Sequence, residues 1–194
     1  RPNMAGRVLV VANGEWPSKE LMDTLLEDAE IVVACDGAAD RLEHCDFVIG
    51  DMDSWSKQKQ IESIEISDQE NSDLAKALEY FDVDWIVGVE GGRLDHRLAA
   101  FTSLCETNSS AILYFDGWRA CLVPKEGLEI ELKENSICSL FAFGNVEGVS
   151  ISGTEYELKN QTLSTGTRGV GNRVVESEVK INHKSGDLIF IWSV

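Results

Sequence analysis

The sequence predicts an α/β fold, in which a mostly parallel N-terminal sheet flanked by helices is followed by a smaller all-β, sandwich-like domain. In the first half, short apolar runs alternate with segments whose apolar residues recur at helical spacing. That alternation is typical of parallel strands covered by helices on both faces. Beyond about Lys125, short alternating segments separated by turn residues take over, as in β-sandwiches. The predicted domains are residues 1–124 and 125–194.

The elements of the first half follow in order along the chain. Residues 8–12 form a buried strand that ends at the Asn13-Gly14 turn, and Pro17 or Ser18 then opens a helix. A short helix is expected after Ala39. The further predicted strands are residues 31–34, 47–49, 85–89 and 111–115, and the further predicted helices are residues 72–81 and 94–105.

In the second half, the alternation of apolar and polar residues predicts strands. The predicted strands are residues 128–132, 139–143, 149–151, 179–181 and 188–192. Turn-forming residues separate them, namely Gly144-Asn145, Ser152-Gly153 and Ser185-Gly186-Asp187.

Composition narrows the classes of protein to which the chain can belong. With 194 residues and 43% hydrophobic content, the chain can bury a core. Its formal net charge of −17 argues against a nucleic-acid ligand, because binding the phosphate backbone needs a surplus of Lys and Arg. The five scattered cysteines form no CxxC pair, and buried free thiols are expected at Cys35 and Cys138. Without a signal-peptide pattern or a run long enough to cross a membrane, the chain is expected to be a soluble cytoplasmic protein.

Asp51 and Asp53 stand where the predicted strand 47–49 meets a loop. Alternate residues of an extended backbone share a face, so both carboxylates can point at one spot. Like charges held that close repel unless a cation lies between them or one carboxylate takes up a proton. Oxygen ligands of this kind suit Mg²⁺. For the pair alone, a solvated turn is the competing interpretation.

Further carboxylates follow the ends of other predicted strands or open helices. Asp36 follows the second strand, Asp73 falls in the first turn of a helix, and Asp95 opens the helix after the strand 85–89. A parallel sheet gathers its ligands outside the carboxyl ends of the strands. Taken singly, Asp36 is a turn residue and Asp73 offsets a helix dipole. Gathered on one rim, the carboxylates would repel one another unless metal ions neutralised them.

The segment Gly91-Gly92-Arg93 supplies what an anionic ligand needs. Two glycines allow a phosphate to approach the backbone, the next helix offers its first amides, and Arg93 carries a planar cationic fork. A flexible turn with a surface arginine is the alternative. Neither a Walker motif nor a GxGxxG after the first strand occurs. His96 is a candidate acid or base, whereas His44 and His183 are expected at the surface.

Four ordered motifs resemble those of the thiamine pyrophosphokinase family. They are residues 35–39 (CDGAA), 50–54 (GDMDS), 68–78 (DQENSDLAKAL) and 91–96 (GGRLDH). The β-rich second half is similar to that family's thiamine-binding domain. The resemblance implies that the chain transfers the pyrophosphoryl group of ATP to the hydroxyl of thiamine, with Mg²⁺, giving thiamine diphosphate and AMP.

The resemblance also implies roles for particular residues. It assigns Asp51, Asp53, Asp73 and Asp95 to the metal and the triphosphate, Asp36, Gly37, Gly91, Gly92 and Arg93 to the nucleotide, and Gln69 to the neighbourhood of the substrate. Lys76 and Arg93 are the candidates for neutralising the transferred group. Either Asp73 or Asp95 could accept the proton of the alcohol, and the sequence does not choose between them.

For the second half, the resemblance implies thiamine contacts and a homodimer. Asn172 matches the asparagine of a Ser-Asn pair that the family uses to hold the aminopyrimidine, whereas Gly171 stands where the serine would be. Tyr156 falls where an aromatic residue would stack. In the family the thiamine site lies between two subunits. The alternative for Gly171 and Asn172 is a hairpin turn, and the alternative for Tyr156 is an ordinary tyrosine on the outer face of a strand.

Two other functions fit part of the pattern. A pyrophosphokinase acting on another alcohol, such as a hydroxymethylpterin, would keep the catalytic half and change the acceptor. A non-catalytic thiamine or nucleotide sensor would bind without transfer, although a sensor need not keep every metal-facing carboxylate.

Overall fold

The structure is a computed structural model, and it describes residues 6–50, 62–66 and 70–194. The chain divides into two units, residues 1–116 and residues 117–194. The predicted combination of an α/β part and a β-rich part is confirmed. The observed boundary precedes the one placed at residues 124 and 125, because the strand Trp118–Leu122 pairs with the last strand of the chain, Ser185–Ser193.

The N-terminal unit is built from strands that alternate with helices. Its elements are β1 (Val8–Val11), α1 (Lys19–Asp28), β2 (Ile31–Cys35), a 3₁₀ helix (Asp36–Arg41), β3 (Phe47–Gly50), β4 (Glu62–Glu65), α2 (Asp73–Tyr80), β5 (Trp85–Val87), α3 (Leu94–Thr107) and β6 (Ile112–Phe115). The strands lie in the order β4-β3-β2-β1-β5-β6, and their described pairs are parallel. Their carboxyl ends therefore meet at one edge.

Local sequence explains where the helices of this unit begin and end. The Ser18 and Ser72 hydroxyls accept backbone N–H groups of α1 and α2 at 3.3 and 3.1 Å, which satisfies donors that the first turn would leave unpaired. Asn108 ends α3 in the left-handed conformation that asparagine tolerates. Strand β4 was missed from the sequence because this edge strand has glutamates at both ends and carries no apolar run.

The C-terminal unit is formed by antiparallel strand pairs. Its strands are β7 (Trp118–Leu122), β8 (Leu128–Glu131), β9 (Ile137–Ser152), β10 (Leu158–Leu163), β11 (Asn172–Arg173), β12 (Glu178–Asn182) and β13 (Ser185–Ser193). The 16-residue strand β9 pairs with four of them, β10, β11, β12 and β13. The turn expected at Gly144-Asn145 is wrong, since β9 runs through it and leaves strand geometry only at single residues such as Gly144, with φ of +83°.

Side-chain burial confirms one expectation about the cysteines and corrects another about the histidines. Cys35 and Cys138 are buried free thiols, as predicted. His44 is exposed as expected, but His183 is buried and its Nε2 lies 3.2 Å from the carbonyl oxygen of Val123. The prediction for His183 was wrong because the link between β12 and β13 folds this ring inward. None of the helices in the described part of the chain has the length and apolar character needed to span a bilayer.

Candidate active site

A cavity of about 510 Å³ lies at the carboxyl ends of the parallel strands in the N-terminal unit. Loops after β1, β2 and β5 form its walls, together with the first turns of α2 and α3. This volume is typical of small-molecule sites. Seven of the predicted site residues line it, namely Asp36, Gly37, Asp73, Lys76, Gly91, Gly92 and Arg93. Asp51, Asp53 and Gln69 lie outside the described residues.

Asp36 enters the cavity wall directly after β2. Its backbone has φ of +40°, a left-handed conformation that is uncommon for a residue with a side chain and that marks local strain. The residue is buried. Burial, with smaller contributions from the carboxylates of Asp73 and Asp36, raises the pKa of the neighbouring Cys35 thiol far above its usual range. The cavity thus has a neutral thiol beside two carboxylates.

Asp73 and Lys76 form an ion pair in the first turn of α2. Lys76 Nζ lies 3.5 Å from Asp73 Oδ1 and donates a hydrogen bond to the carbonyl oxygen of Ile66 at 3.1 Å. A Cβ placed on Gly50 would come within 3.0 Å of Asp73 Oδ2. The Asp73 carboxylate therefore lies against the last residue of β3, immediately before Asp51 in the chain.

The loops after β1 and β5 cross at close range. The amides of Ala12 and Gly14 donate to the carbonyl oxygens of Val87 and Gly88 at 2.9 and 2.7 Å. Gly88 has φ of +82°, and a Cβ there would overlap the carbonyl oxygen of Ala12. Only glycine fits such an approach without strain. This crossing forms part of the cavity wall.

Arg41 braces the loop after β1. Its guanidinium donates to Asn13 Oδ1 at 3.1 Å and to the carbonyl oxygen of Gly14 at 2.8 Å, and it lies 4.1 Å from the ring centre of Trp16. Asn13 and Gly14 line the cavity but were interpreted from sequence only as a turn. Their position in the sequence could have identified them as cavity residues, because they follow β1 just as the other cavity residues follow β2 and β5.

The Gly91-Gly92-Arg93 segment leads into α3 with an open backbone. Gly91 and Gly92 have φ of +66° and +61°, and a Cβ on Gly92 would meet nothing within 4 Å. Arg93, at the N-cap of α3, makes no capping side-chain hydrogen bond. Positive backbone groups at such a helix start attract anions. The segment therefore presents an accessible backbone and one guanidinium to the cavity.

Asp95 is paired with Arg93 and does not line the cavity. Arg93 donates two hydrogen bonds to its carboxylate, at 2.6 and 3.1 Å, and both groups are exposed. These bonds lower the pKa of the Asp95 carboxyl and raise that of the Arg93 guanidinium. His96, the predicted acid or base, lines the cavity and is exposed.

The donor set of this cavity suits a hard cation. Within residues 6–50, 62–66 and 70–194, no three acidic, histidine or cysteine side chains are grouped closely enough to hold a metal ion. Asp36, Asp73 and Glu90 contribute carboxylates to the cavity wall, and Asp73 lies beside the residue that precedes Asp51. Carboxylate oxygens are the ligands that Mg²⁺ uses together with phosphates.

A smaller cavity of about 120 Å³ lies in the C-terminal unit. It brings together the three substrate residues predicted for this unit, Tyr156, Gly171 and Asn172. Tyr156 is 68% exposed. The Asn172 amide exchanges hydrogen bonds with the backbone of Tyr156, accepting its N–H at 3.1 Å and donating to its carbonyl oxygen at 2.8 Å.

Comparison with solved structures places the fold among thiamine pyrophosphokinases. The Bacillus subtilis enzyme aligns with a TM-score of 0.78 at 22% identity, over 97% of this chain and 99% of that one. The Candida albicans enzyme aligns with a TM-score of 0.79 at 15% identity, over 97% and 89% of the two chains. An Enterococcus faecalis family protein aligns with a TM-score of 0.76 at 22% identity, over 97% and 99%. Identities this low establish similarity of fold alone.

Family models give the decisive comparison, whereas no curated protein matches the chain in sequence. The catalytic domain of thiamin pyrophosphokinase matches residues 22–115, and the vitamin B1 binding domain of thiamin pyrophosphokinase matches residues 126–188. Together the two models span most of the chain, in the order of its two units. Neither the hydroxymethylpterin acceptor nor the sensor gains support from these matches. The chain belongs to the thiamin pyrophosphokinase family.

Proposed function

We propose that this chain transfers the pyrophosphoryl group of ATP to the hydroxyl of thiamine, giving thiamine diphosphate and AMP. The observation that carries this conclusion is the pair of family models, one catalytic and one for vitamin B1, that match successive parts of the chain. The chain is accordingly an enzyme of the transferase class, with ATP as co-substrate. The cavity in the N-terminal unit supplies polar groups suited to a polyphosphate.

The reaction joins the thiamine hydroxyl oxygen to the β-phosphorus of ATP and breaks the bond from that phosphorus to the oxygen bridging the α- and β-phosphates. AMP leaves with the electron pair of that bond, and the hydroxyl proton passes to a carboxylate. Chemistry of this kind depends on in-line positioning and neutralisation of charge. Asp73 or Asp95 accepts the proton in this proposal.

The nucleotide is assigned to the loops after β2 and β5. Asp36 and Gly37 stand on one side of the cavity, and Gly91, Gly92 and Arg93 on the other. The open backbone at Gly92 admits a phosphate, and Arg93 exchanges part of its pairing with Asp95 for phosphate oxygens. Lys76 adds a cation whose position is fixed by Asp73 and Ile66.

Magnesium is the metal that this donor set fits. Asp73 would hold it together with Asp51, Asp53 and Asp95, which the sequence assigns to the same role. When bound, the ion neutralises charge on the phosphates of ATP. This assignment is supported by the Asp73 carboxylate, whose oxygens lie against Gly50. Gly50 directly precedes Asp51 in the chain.

The acceptor is assigned to the C-terminal unit. Tyr156 offers an exposed ring on which an aromatic heterocycle can stack, and Gly171 and Asn172 line the same cavity. Gln69 is assigned to the neighbourhood of the substrate from its place in the sequence. The match of residues 126–188 to the vitamin B1 binding domain supports the assignment of thiamine to the C-terminal unit.

The proposal also covers the sheet architecture of the two domains. The catalytic domain is taken as a mostly parallel sheet, supported by the parallel pairs of β1 to β6. The β-rich domain is proposed to be sandwich-like, which is supported by the pairing of β9 with four strands.

The protein is proposed to act in the cytoplasm as a homodimer that completes the thiamine site between subunits. Light scattering after gel filtration tests the dimer, and a monomeric mass at assay concentration would contradict it.

The activity is tested by incubating the protein with ATP, MgCl₂ and thiamine and measuring AMP. AMP is expected only when thiamine is present, and its formation is expected to stop when EDTA exceeds the metal. A hydroxymethylpterin offered in place of thiamine is expected to give no AMP. Formation of AMP with the pterin but not with thiamine would overturn the assignment of the acceptor.

A further inference from the structure

We propose that Ser139 determines specificity for thiamine by donating a hydrogen bond from its hydroxyl to the pyrimidine ring. This inference rests on the proposed function and assigns a role to a residue that the sequence patterns did not single out. Ser139 lies on β9 in the wall of the C-terminal cavity and is 8% exposed. Its hydroxyl is paired as an acceptor, so it can still donate to a ligand in the cavity.

The hydrogen-bonding state of Ser139 leaves its proton available. Its Oγ accepts the backbone N–H of Gly171 at 3.0 Å. A serine hydroxyl can accept two hydrogen bonds and donate one. Among the described residues, no acceptor pairs with its hydrogen. The bond from Gly171 holds the oxygen in place while the hydrogen remains free to point at a ligand.

Asn172, a second polar side chain in the cavity lining, has most of its hydrogen-bonding groups paired with the backbone. Its Oδ1 accepts the amides of Tyr156 and Arg173 at 3.1 and 2.9 Å, and its Nδ2 donates to the carbonyl oxygen of Tyr156 at 2.8 Å. Breaking these bonds to reach a ligand would leave backbone groups unpaired. Asn172 therefore positions the Tyr156 backbone and keeps one amide N–H for a ligand, whereas Ser139 offers a hydroxyl whose oxygen is held in place by Gly171.

The size of the cavity favours a single ring. Its volume of about 120 Å³ is close to that of the roughly 150 Å³ apolar cavity known to take up benzene. Apolar side chains of Leu140, Ile151 and Leu158 line it. A Cβ on Gly171 would meet nothing within 4 Å, so this position leaves the space beside Ser139 open.

The chemistry of the lining selects which ring of thiamine enters. The pyrimidine ring has two nitrogens that accept hydrogen bonds, whereas the thiazolium ring carries a permanent positive charge and has no free ring nitrogen. The exposed guanidinium of Arg168 also lines the cavity and disfavours a second cation. The pyrimidine ring thus matches both the donor and the charge of this site.

The test removes the hydrogen bond from each side in turn. Calorimetry measures the Kd of Ser139→Ala and of the unmodified protein for thiamine and for the two analogues in which one pyrimidine nitrogen is replaced by C–H. The unmodified protein is expected to bind one analogue about tenfold more weakly than thiamine. Ser139→Ala is expected to bind thiamine about tenfold more weakly and to make no distinction between thiamine and that analogue.

Ser193→Ala is the matched control, because Ser193 Oγ also accepts a backbone N–H, that of Ile137 at 2.9 Å, but lies outside the cavity lining. It is expected to leave the Kd unchanged. Ser139→Cys, which keeps the shape with a weaker donor, replaces Ser139→Ala if that variant does not fold. Unchanged thiamine affinity in the Ser139 variants, or an equal loss for thiamine and both analogues, would overturn the role of Ser139. Failure of the unmodified protein to bind thiamine would instead contradict the proposed function.

Discussion

Lys76 holds its ammonium group 3.5 Å from the carboxylate of Asp73, one helical turn away. The lysine side chain is only 4% exposed, whereas that of Asp73 is 32% exposed. A lysine is rarely buried to this extent unless its charge is paired. The second bond of Lys76, to the carbonyl oxygen of Ile66, fixes the ammonium at the edge of the cavity.

The first prediction concerns this cation. Lys76→Met removes the charge but keeps the length of the side chain, so turnover is expected to fall by about 10²-fold or more, as when one electrostatic donor is lost from an active site. Unfolding free energy is expected to fall as well, because Asp73 loses its partner, but by less than the roughly 3–5 kcal/mol of a fully buried pair, since Asp73 is partly exposed. Steady-state kinetics and urea denaturation measure the two effects.

Lys19→Met is the matched control for that experiment. Lys19 pairs with Asp23 at 2.6 Å across one turn of α1, but both side chains are exposed. Exposed pairs contribute little, so turnover and stability are expected to stay near those of the unmodified protein. Equal turnover in Lys76→Met and Lys19→Met would show that Lys76 has no role in catalysis.

The second prediction concerns Asp53, which was assigned to the metal from sequence. Asp53→Asn is expected to lower turnover by orders of magnitude while the fold stays intact, as judged by circular dichroism. Asp23→Asn, in the exposed pair of α1, serves as the control. If turnover survived within about tenfold, equivalent to roughly 1.4 kcal/mol of barrier, the metal assignment would be wrong.

The third prediction concerns the crossing of the loops after β1 and β5. Gly88→Ala is expected to destabilise the protein by more than about 3 kcal/mol, because it combines a strained φ with overlap of the Ala12 carbonyl. Gly92→Ala is strained in the same sense but meets nothing within 4 Å, so it is expected to cost only about 1–2 kcal/mol. Urea denaturation measures both, and equal losses would mean that the close approach is not needed.

The fourth prediction concerns pH. Burial raises the pKa of Cys138 from 9.0 to about 11, so the folded protein retains a proton that the unfolded chain loses. The stabilisation from the neutral thiol is fully present below pH 9 and is lost as the pH rises from 9 to about 11. The fall in Tm across this range is expected to be smaller in Cys138→Ala. Identical slopes for the two proteins would contradict this linkage.

The sequence predicts features that depend on local pattern and chain order. The apolar strands of the N-terminal unit stand out by composition, and the rule that ligands gather at strand ends placed Asp36, Asp73 and Gly91 to Arg93, all of which line one cavity. Strand β4 escaped because an edge strand needs no apolar run. A single-sequence pattern also cannot show that β9 continues through Gly144, since its partners lie far along the chain.

The pairing of side chains was the least predictable feature. Asp95 is placed by sequence on the same rim as Asp73, yet its carboxylate is bonded to Arg93 and does not line the cavity. The role of Ser139 depends on its contact with Gly171, 32 residues along the chain. Such contacts follow from the folded sheet and leave no periodic trace in the sequence.

Identification of the products by ³¹P NMR distinguishes pyrophosphoryl transfer from transfer of a single phosphate. The protein is incubated with ATP, MgCl₂ and a limiting amount of thiamine until the thiamine is consumed. Resonances of thiamine diphosphate and AMP are expected in equal amounts, because the β- and γ-phosphates move together. Formation of ADP with thiamine monophosphate, or of AMP in amounts independent of thiamine, would contradict the account.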